Sequence, residues 1–234
     1  MFGTRPSIVN QLARLRLTAP RAVSRLLAAT LFPPRCCLCG FEGAGPDLDL
    51  CNFCFAGLPW VREPAAGRVV ALRFEHPVDD LIRDLKYRGE LANARVLGVL
   101  LAAAARNRGV EFPRLLVPVP LHDARLRERG FNQAAALAKH AARSLGIPYA
   151  RSALRRVRDT PTQTALDESA RRRNVRDAFA VGGVKARERL LAAEHVAIVD
   201  DVMTTGSTLA EARGLLLEAG VSRVDVWAVA RTRA

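Results

Sequence analysis

The sequence is poor in aromatic residues and contains no long apolar run. Aromatic residues make up 6% of the chain, so platforms on which nucleobases could stack are few. The longest apolar runs, such as residues 99–105, are much shorter than the ~18–20 residues that cross a bilayer, and we expect no membrane span. No cysteine follows residue 54, which excludes the disulfide framework of a small secreted protein.

Lysine is also scarce, and arginine carries almost all of the positive charge. The 36 basic residues include only three lysines, hence 33 arginines, against 23 acidic residues, for a net charge of +13. A cationic surface attracts polyanions such as nucleic acids, acidic lipids and phosphorylated small molecules. Arginines that merely cover solvated faces are the alternative, and composition alone does not separate the two interpretations.

Length and apolar content predict one substantial domain with a small appended module. Half of the 234 residues are apolar, which is enough for one core of ordinary size. We predict a basic amphipathic segment over residues 1–35, a four-cysteine module over 36–60 and an α/β domain over 61–234. The first segment has six arginines and no acid. Its apolar stretch is too interrupted for a secretory signal, which leaves a transit peptide as the alternative to a cytoplasmic protein.

Strands alternate with helices in the larger predicted domain. Apolar residues at helical spacing predict a helix over residues 78–87, ended by Gly89, and further helices over 91–106, 132–145 and 207–219. Short apolar runs predict strands over 115–121, 195–199 and 224–229. Residues 151–179 are polar and aperiodic, which predicts a long excursion that is either functional or disordered. This alternation predicts a parallel α/β sheet.

The cysteines indicate a metal site. Four of the five form two C-x2-C pairs that are eleven residues apart: Cys36, Cys39, Cys51 and Cys54. Two such pairs complete a tetrahedral site with Zn–S distances of ~2.3 Å, and Gly40 can supply the left-handed turn of the first pair. Since all four ligand positions are filled, we predict a structural Zn²⁺. An iron–sulfur cluster or a redox dithiol is the alternative, and Cys37 falls outside the spacing.

The most informative stretch is an apolar strand that ends in two acids and runs into small and hydroxyl residues. Residues 196–208 read VAIVDDVMTTGST, and ligands of open α/β sheets bind at such strand ends. A turn of small residues leaves backbone N–H groups free to bind a phosphate at the start of a helix. The candidate phosphate-binding residues are Thr204, Thr205, Gly206, Ser207 and Thr208. Asp200 and Asp201 are placed to accept hydrogen bonds from ribose hydroxyls and to attract hydrated Mg²⁺.

Two other interpretations of this stretch are weaker. A buried strand before an ordinary capped helix would leave two adjacent acids at a strand end, which is costly unless they are paired. A Walker B strand requires a G-x4-G-K-[ST] loop elsewhere in the chain. The sequence has no Gly-Lys dipeptide, so a P-loop NTPase is excluded.

The stretch D-D-x-x-T-T-G-S-T resembles the 5-phosphoribosyl 1-pyrophosphate (PRPP) motif of type I phosphoribosyltransferases. Three further segments, together with the four cysteines, resemble the ComF family of ComFC- and GntX-like proteins. They are LKYRG at 85–89, PVPLH-x2-R-x-R-x-RGFNQ at 118–133, and TPTQT-x-L at 160–166 with R-x2-N at 171–174. The resemblance begins at about residue 27 and implies a type I phosphoribosyltransferase fold with a small N-terminal zinc module.

The resemblance also implies roles for the site residues. Residues 204–208 would hold the 5′-phosphate of Mg²⁺-bound PRPP, and Asp200 and Asp201 its ribose hydroxyls. Residues 122–133 take the place of the loop that meets the pyrophosphate. Its candidate residues are Arg125, Arg127 and Arg129, whose guanidinium groups suit phosphate oxygens. A solvated basic loop without a ligand is the alternative.

Two more groups of candidates follow from the resemblance. Residues 151–179 correspond to the flexible loop that closes over the ligand, and its polar candidates are Gln163, Arg171 and Asn174. Lys86 is a candidate because it is one of only three lysines and lies in the LKYRG segment. A cation at a helix end is also favourable without a ligand.

The family resemblance implies a role in DNA uptake and natural transformation, with single-stranded DNA and a DNA-uptake helicase as partners. Two functions stay open on the sequence. One is a phosphoribosyltransferase, which needs a closed, desolvated site. The other is a non-catalytic module that binds single-stranded DNA or senses PRPP, and DNA binding needs a continuous basic track. Nothing in the sequence identifies a base pocket, a catalytic residue or an acceptor.

Overall fold

The computed structural model describes residues 35–44, 48–62, 66–109, 111–158 and 176–232. The chain forms two compact units, Met1–Leu58 and Pro59–Ala234. The basic segment predicted over residues 1–35 lies outside the described residues except for Arg35. Within the described part of the chain, no helix combines the length and the apolar composition needed to cross a membrane.

The described part of the first unit consists of turns and one short helix, α1 (Asn52–Ala56). An isolated antiparallel bridge joins Arg35 and Glu42. Apolar side chains, chiefly Leu50 and Phe55, are buried in this unit. A core of this size is small, so a bound metal is the expected source of additional stability.

The second unit is built on a four-stranded parallel sheet, which confirms the predicted α/β class. Its strands are β1 (Arg68–Arg73), β2 (Leu115–Pro118), β5 (His195–Met203) and β6 (Arg223–Arg231), in the order β1-β6-β5-β2. The strands between them in the chain, β3 (Leu154–Arg156) and β4 (Phe179–Val181), form a separate antiparallel pair. The central strand β5 is almost continuously apolar because a parallel strand is buried on both faces.

Helices cover the sheet. In this unit they are α2 (Val78–Arg88), α3 (Leu91–Asn107), α4 (Asp123–Arg129), α5 (Gln133–Leu145), α6 (Val184–Ala193) and α7 (Ser207–Glu218). Helices α3 and α5 pack closely against each other, and α7 packs against β5 and β6. Gly98 permits the close approach of α3 to α5, because a Cβ there would lie 2.7 Å from the carbonyl oxygen of Leu137.

Most predicted elements are confirmed, and their ends have local causes. Gly89 and Gly146 end α2 and α5 with φ angles of +71° and +73°. Strand β5 runs to Met203, four residues beyond its predicted end, because it stays paired with β6. The predicted strand over 115–121 ends earlier, at Pro118, since proline cannot donate to a ladder. Strands β1, β3 and β4 and helices α1, α4 and α6 were not predicted.

The two ends of the predicted excursion over residues 151–179 lie next to each other, in the antiparallel strands β3 and β4. Arg156 in β3 is the register partner of Phe179 in β4. Residues 159–175, with the candidates Gln163, Arg171 and Asn174, lie outside the described residues. The β3–β4 pair therefore brings together the two described ends of the predicted excursion.

Candidate functional site

The predicted phosphate-binding residues lie at the carboxyl end of β5, where the chain turns into α7. We call residues 204–208 the phosphate loop. Gly206 is the N-cap of α7, with a φ of +79° and no side chain to cap the helix. The Oγ1 atom of Thr205 lies 2.6 Å from Oγ of Ser207 and accepts a 3.4 Å hydrogen bond from its N–H group. The first N–H groups of a helix have no partner within the helix, and a helix start is therefore a typical position for an anion.

Asp200 and Asp201 lie just before the loop, in the carboxyl-terminal part of β5. The N–H group of Asp201 donates to Oδ1 of Asp200, and the N–H group of Val202 donates to Oδ1 of Asp201, both at 2.8 Å. Burial and the neighbouring Asp201 carboxylate raise the pKa of Asp200 to about 8. Two adjacent acids at a buried strand end thus share less than two negative charges near neutral pH.

Lys86 meets this pair from the last turn of α2. Its Nζ atom lies 2.5 Å from Oδ2 of Asp201, and the lysine and aspartate side chains are 24% and 11% exposed. A carboxylate at this depth needs a charged partner, and Lys86 supplies it. The structure therefore brings the candidates Lys86 and Asp201 together, although they come from opposite ends of the second unit in sequence.

Within the predicted pyrophosphate loop, residues 122–133, the chain forms helix α4 over Asp123–Arg129. Helix α4 is capped by His122, whose Nδ1 atom accepts from the N–H group of Ala124 at 3.4 Å. Residues four apart share a helix face, whereas residues two apart do not. Arg125 and Arg129 therefore lie on one face of α4, and Arg127 lies on another.

Arg129 packs on Tyr87, the residue next to Lys86. Its Cζ atom lies 5.6 Å from the ring centroid, within the range of a cation–π contact. The tyrosine side chain is 71% exposed, so one face of this contact is open to a ligand. Sequence reasoning had assigned no role to Tyr87, and its position between Lys86 and Gly89 in the LKYRG segment was the available signal.

Asn132 holds the end of α4 against the sheet. Its Nδ2 atom donates to the carbonyl oxygen of Val119 at 3.0 Å, and its Oδ1 atom accepts from the N–H group of Ala135 at 3.2 Å. The residue therefore caps α5 and fixes the turn after α4 to the chain just beyond β2. Its role is positional, and a polar residue before an apolar helix is the signal that predicts such a cap.

The four predicted zinc ligands converge in the first unit. The sulfur atoms of Cys36, Cys39, Cys51 and Cys54 all lie within 4.8 Å of one another, and those of Cys39 and Cys51 are 3.6 Å apart. Tetrahedral geometry with Zn–S bonds of ~2.3 Å requires S–S distances of about 3.8 Å. The cluster therefore fits a four-thiolate metal ion, which would be structural since no ligand position is left open.

The backbone shapes these cysteine turns and favours ionisation of one thiol, Cys36, whereas burial and the neighbouring thiols raise the pKa of Cys54. Gly40 has the predicted left-handed conformation, with a φ of +75°. Burial opposes ionisation of Cys36, but hydrogen bonds from backbone groups, that of Cys51 first, lower its pKa to about 6. The Sγ atom of Cys51 accepts from the N–H group of Cys54 at 3.4 Å. Cys37 is exposed and lies outside the cluster.

Comparison with known proteins identifies a domain family in the second unit and finds relatives that cover most of the chain. The phosphoribosyl transferase domain family matches residues 132–234, which include both aspartates and the phosphate loop. DNA utilization protein YhgH of Salmonella typhimurium is 37% identical over 202 residues, 84% of each chain, and that of Escherichia coli K12 is 36% identical over the same length and share of each.

A relative with a different name covers nearly three quarters of the chain. Competence protein F of Haemophilus influenzae is 35% identical over 175 residues, 73% of this chain and 75% of that protein. The resemblance drawn from the sequence motifs and the expected phosphoribosyltransferase fold are both confirmed. With its four-cysteine cluster and phosphoribosyltransferase domain, the chain belongs to the ComF family.

Proposed function

We propose that the protein binds a phosphoribosyl ligand, with Mg²⁺-bound PRPP as the principal candidate, at the carboxyl end of β5. The observation that carries the proposal is the ion pair between Lys86 and Asp201, 2.5 Å long, beside a helix start without a side-chain cap. The cation, the acids and the N–H groups at the helix start correspond to the pyrophosphate, the ribose hydroxyls and the 5′-phosphate of one ligand.

Each part of the ligand has its own complementary group. N–H groups of the phosphate loop would donate to the 5′-phosphate. The ribose hydroxyls would donate to Asp200 and Asp201, and the diphosphate would draw Lys86 and Arg129 toward it. Because carboxylate oxygens are ligands that Mg²⁺ accepts, the two aspartates also fit the metal, which when bound neutralises charge on the diphosphate.

Calorimetry with PRPP and Mg²⁺ tests this proposal. The wild type should show saturable binding of one ligand per chain, and the Asp200→Asn/Asp201→Asn variant should lose at least tenfold in affinity, about 1.4 kcal/mol. Glu188→Gln, an exposed charge change on α6, is the matched control and should bind as the wild type does. Equal binding by the wild type and the double variant would refute the site.

Release of pyrophosphate separates an enzyme from a binding module. In transfer, the lone pair of an acceptor forms a bond to C1 of the ribose while the C1–O bond to pyrophosphate breaks, and pyrophosphate leaves with that electron pair. A transferase would release pyrophosphate only when an acceptor is present. A sensor would bind PRPP and return it unchanged, which ³¹P spectra of the mixture would show.

We further propose that the protein acts in the uptake or use of DNA, as the names of its relatives indicate for them, and that its first unit contacts single-stranded DNA. Phe41 and Phe53 are 75% and 87% exposed, and both line a cavity of about 550 Å³ in that unit. Exposed aromatic rings can stack on bases, and a protein of net charge +13 attracts phosphates. A helicase partner stays a prediction.

Removing the two rings tests this second role. Phe41→Ala/Phe53→Ala should weaken binding of single-stranded DNA at ~50 mM salt, because each stacked base contributes about 1–3 kcal/mol. Phe74→Ala, in the second unit, is the matched control and should leave affinity unchanged. Absence of any binding by the wild type at this salt concentration would remove the DNA contact and leave the small-molecule site untouched.

A further inference from the structure

Helix α5 exposes one stripe of residues, and the polar side chains of that stripe are basic. Apart from the last residue of the helix, the residues that are not buried are Ala136, Lys139, His140 and Arg143. Residues three and four apart lie on one face of a helix, so these four form a single row. We call this row the α5 stripe.

The helix that packs against α5 adds positive charge and no negative charge. Helices α3 and α5 are in close contact, and neither contains an aspartate or a glutamate. Arg95 of α3 lies close enough to the stripe for its charge to act on His140. Within the described part of the chain, Lys139 and Arg143 form no ion pair. No carboxylate of the two helices therefore offsets the charge of the stripe.

His140 shows the sign of the electrostatic field at the stripe. A Cβ placed on Gly98 of α3 would lie 2.8 Å from the Cβ of His140, so the imidazole starts at the contact between the two helices. Burial there lowers its pKa, and the charges of Lys139, Arg95 and Arg143 lower it further. Among the described residues, these are the charges that act on the imidazole from α5 and from α3. All of them are positive, so a bound anion would partly reverse the shift.

The spacing along the stripe suits a chain of phosphates better than a single phosphate. Lys139 and Arg143 are four residues apart, which corresponds to ~6 Å along the helix axis. Successive phosphates of an extended single strand have a similar spacing. Both side chains are exposed on the convex outer surface of the helix, whereas a small anion is usually enclosed by converging donors. Cations in a row on such a surface therefore fit a linear polyanion.

The stripe lacks the exposed apolar side chains of a helix that binds membranes. Its one apolar residue is Ala136, and larger apolar residues of α5 such as Leu137 are buried. A helix that lies on a lipid surface inserts leucine, phenylalanine or tryptophan side chains between the lipids. The combination of basic residues with a small apolar one therefore favours a nucleic acid over an anionic lipid surface.

We infer that the α5 stripe binds the sugar–phosphate backbone of single-stranded DNA through Lys139, His140 and Arg143. Contacts with phosphates carry no information about the bases, so this binding should be independent of sequence and should depend strongly on salt. The inference rests on the proposed role in the uptake or use of DNA. It adds a contact with phosphates in the second unit to the contact with bases proposed for the first.

An abasic single strand tests the stripe, because it keeps the phosphates and lacks the bases on which aromatic rings would stack. The wild type should bind this strand at ~50 mM salt. Lys139→Gln/Arg143→Gln should bind it about tenfold more weakly, and the slope of log K against log salt should flatten by about 1.4, since each lost phosphate contact removes about 0.7. Lys185→Gln/Arg187→Gln makes the same change in charge on exposed positions of α6. This matched control should stay within about twofold of the wild type.

The pH dependence of the same binding tests the part played by His140. Phosphates beside the imidazole would raise its pKa, so binding takes up a proton, and affinity for the abasic strand should rise as the pH falls from about 8 to about 6. His140→Gln should lose this rise, because glutamine does not titrate, and should keep the salt dependence due to Lys139 and Arg143. The same rise in the wild type and in His140→Gln would overturn the assignment of His140.

The other outcomes separate the stripe from the proposed DNA role. If the wild type binds a strand with bases but not the abasic strand, the stripe is wrong and the aromatic contact stands. Equal binding of the abasic strand by the wild type and Lys139→Gln/Arg143→Gln, or equal losses in both double variants, also overturns the stripe. If that variant loses binding only to phosphatidylserine vesicles, the partner is a membrane instead. If the wild type binds neither strand, the proposed DNA contact and the stripe both fail. Melting temperatures verify that the variants are folded.

Discussion

The four-cysteine cluster and the proposed phosphoribosyl site differ in how far apart their residues lie in the sequence. All four cysteines fall within residues 36–54, and short turns alone bring their sulfur atoms to within 4.8 Å of one another. The proposed phosphoribosyl site combines Lys86 from α2, Arg129 from α4 and the end of β5. The first site depends on local backbone geometry, and the second depends on the register of a whole sheet.

This difference determines what each site requires to exist. The cysteine turns are shaped by residues inside those turns, namely Gly40 and the hydrogen bond from the N–H group of Cys54 to the sulfur of Cys51. By contrast, the ion pair of Lys86 forms only if α2 ends over the carboxyl edge of β5. Loss of a cysteine should therefore act on the first unit directly, whereas substitutions at the second site should act on ligand affinity and on sheet stability.

The largest expected effect is loss of the metal. Cys39→Ser removes one of four ligands, and zinc content should fall from about one per chain to near zero, with unfolding of the first unit. Cys37→Ser is the matched control, one residue from a ligand, and should keep its zinc. Elemental analysis of both purified variants measures this, and a zinc-free wild type or an absorbing iron–sulfur chromophore would refute the site.

Replacement of Lys86 is expected to have the next largest effect. Lys86→Met removes the cation next to Asp201, so affinity for Mg²⁺-PRPP should fall at least tenfold, about 1.4 kcal/mol. The two other lysines supply controls, since Lys139 and Lys185 are exposed and their replacement by methionine makes the same change in charge. Equal losses in all three variants would mean that net charge, rather than this ion pair, governs binding.

A smaller effect concerns stability and pH. Burial and Asp201 raise the pKa of Asp200 to about 8, from 3.8. The folded state therefore binds a proton that the unfolded chain releases, and the stability this gives is lost as the pH rises from about 4 to about 8. Asp200→Asn lacks this dependence and should be more stable than the wild type at pH 8.5, by about 1–3 kcal/mol.

Urea unfolding at two pH values measures this effect. The fluorescence of Trp227, buried in β6, follows the second unit. The difference between Asp200→Asn and the wild type should be largest at pH 8.5 and should shrink toward pH 5. A difference that grows as the pH falls would show that the folded protein holds Asp200 ionised.

The smallest expected effects are changes in stability on replacing two glycines, Gly206 at the N-cap of α7 and Gly214 inside that helix. Gly206 has a φ of +79°, so Gly206→Ala should cost about 1 kcal/mol of stability through the left-handed backbone. Gly214 lies inside α7 with open space around the added Cβ, so Gly214→Ala should gain about 0.5–1 kcal/mol. Thermal unfolding of the two variants measures both changes in stability. A more stable Gly206→Ala variant would contradict the left-handed conformation of Gly206.

Features with local determinants could be predicted from the sequence. The cysteine spacing specifies the candidate metal ligands, and the run from β5 into α7 contains its own strand, acids and helix start. Gly89 and Gly146 mark helix ends because the left-handed region favours glycine. Each of these signals lies within a few consecutive residues, so it can be recognised without knowledge of the fold.

Features that depend on distant contacts could not be predicted. Helix α4 has no buried residue, so it lacks the apolar stripe by which helices are recognised, and its cap by His122 is a weak signal. The cation–π contact of Arg129 with Tyr87 joins two segments that no spacing relates. Lys86 was a candidate through the rarity of lysine and through family resemblance, and its partner Asp201 became apparent only from the sheet.

The central claim is that the N–H groups of the phosphate loop bind the 5′-phosphate of a phosphoribosyl ligand. Amide hydrogen exchange with and without Mg²⁺-PRPP measures this most directly, because it reads those N–H groups themselves. The account predicts slower exchange at residues 204–208 in the presence of ligand, with exchange in α6 unchanged, and no slowing in the Asp200→Asn/Asp201→Asn variant. Unchanged exchange at residues 204–208 under saturating ligand would contradict it.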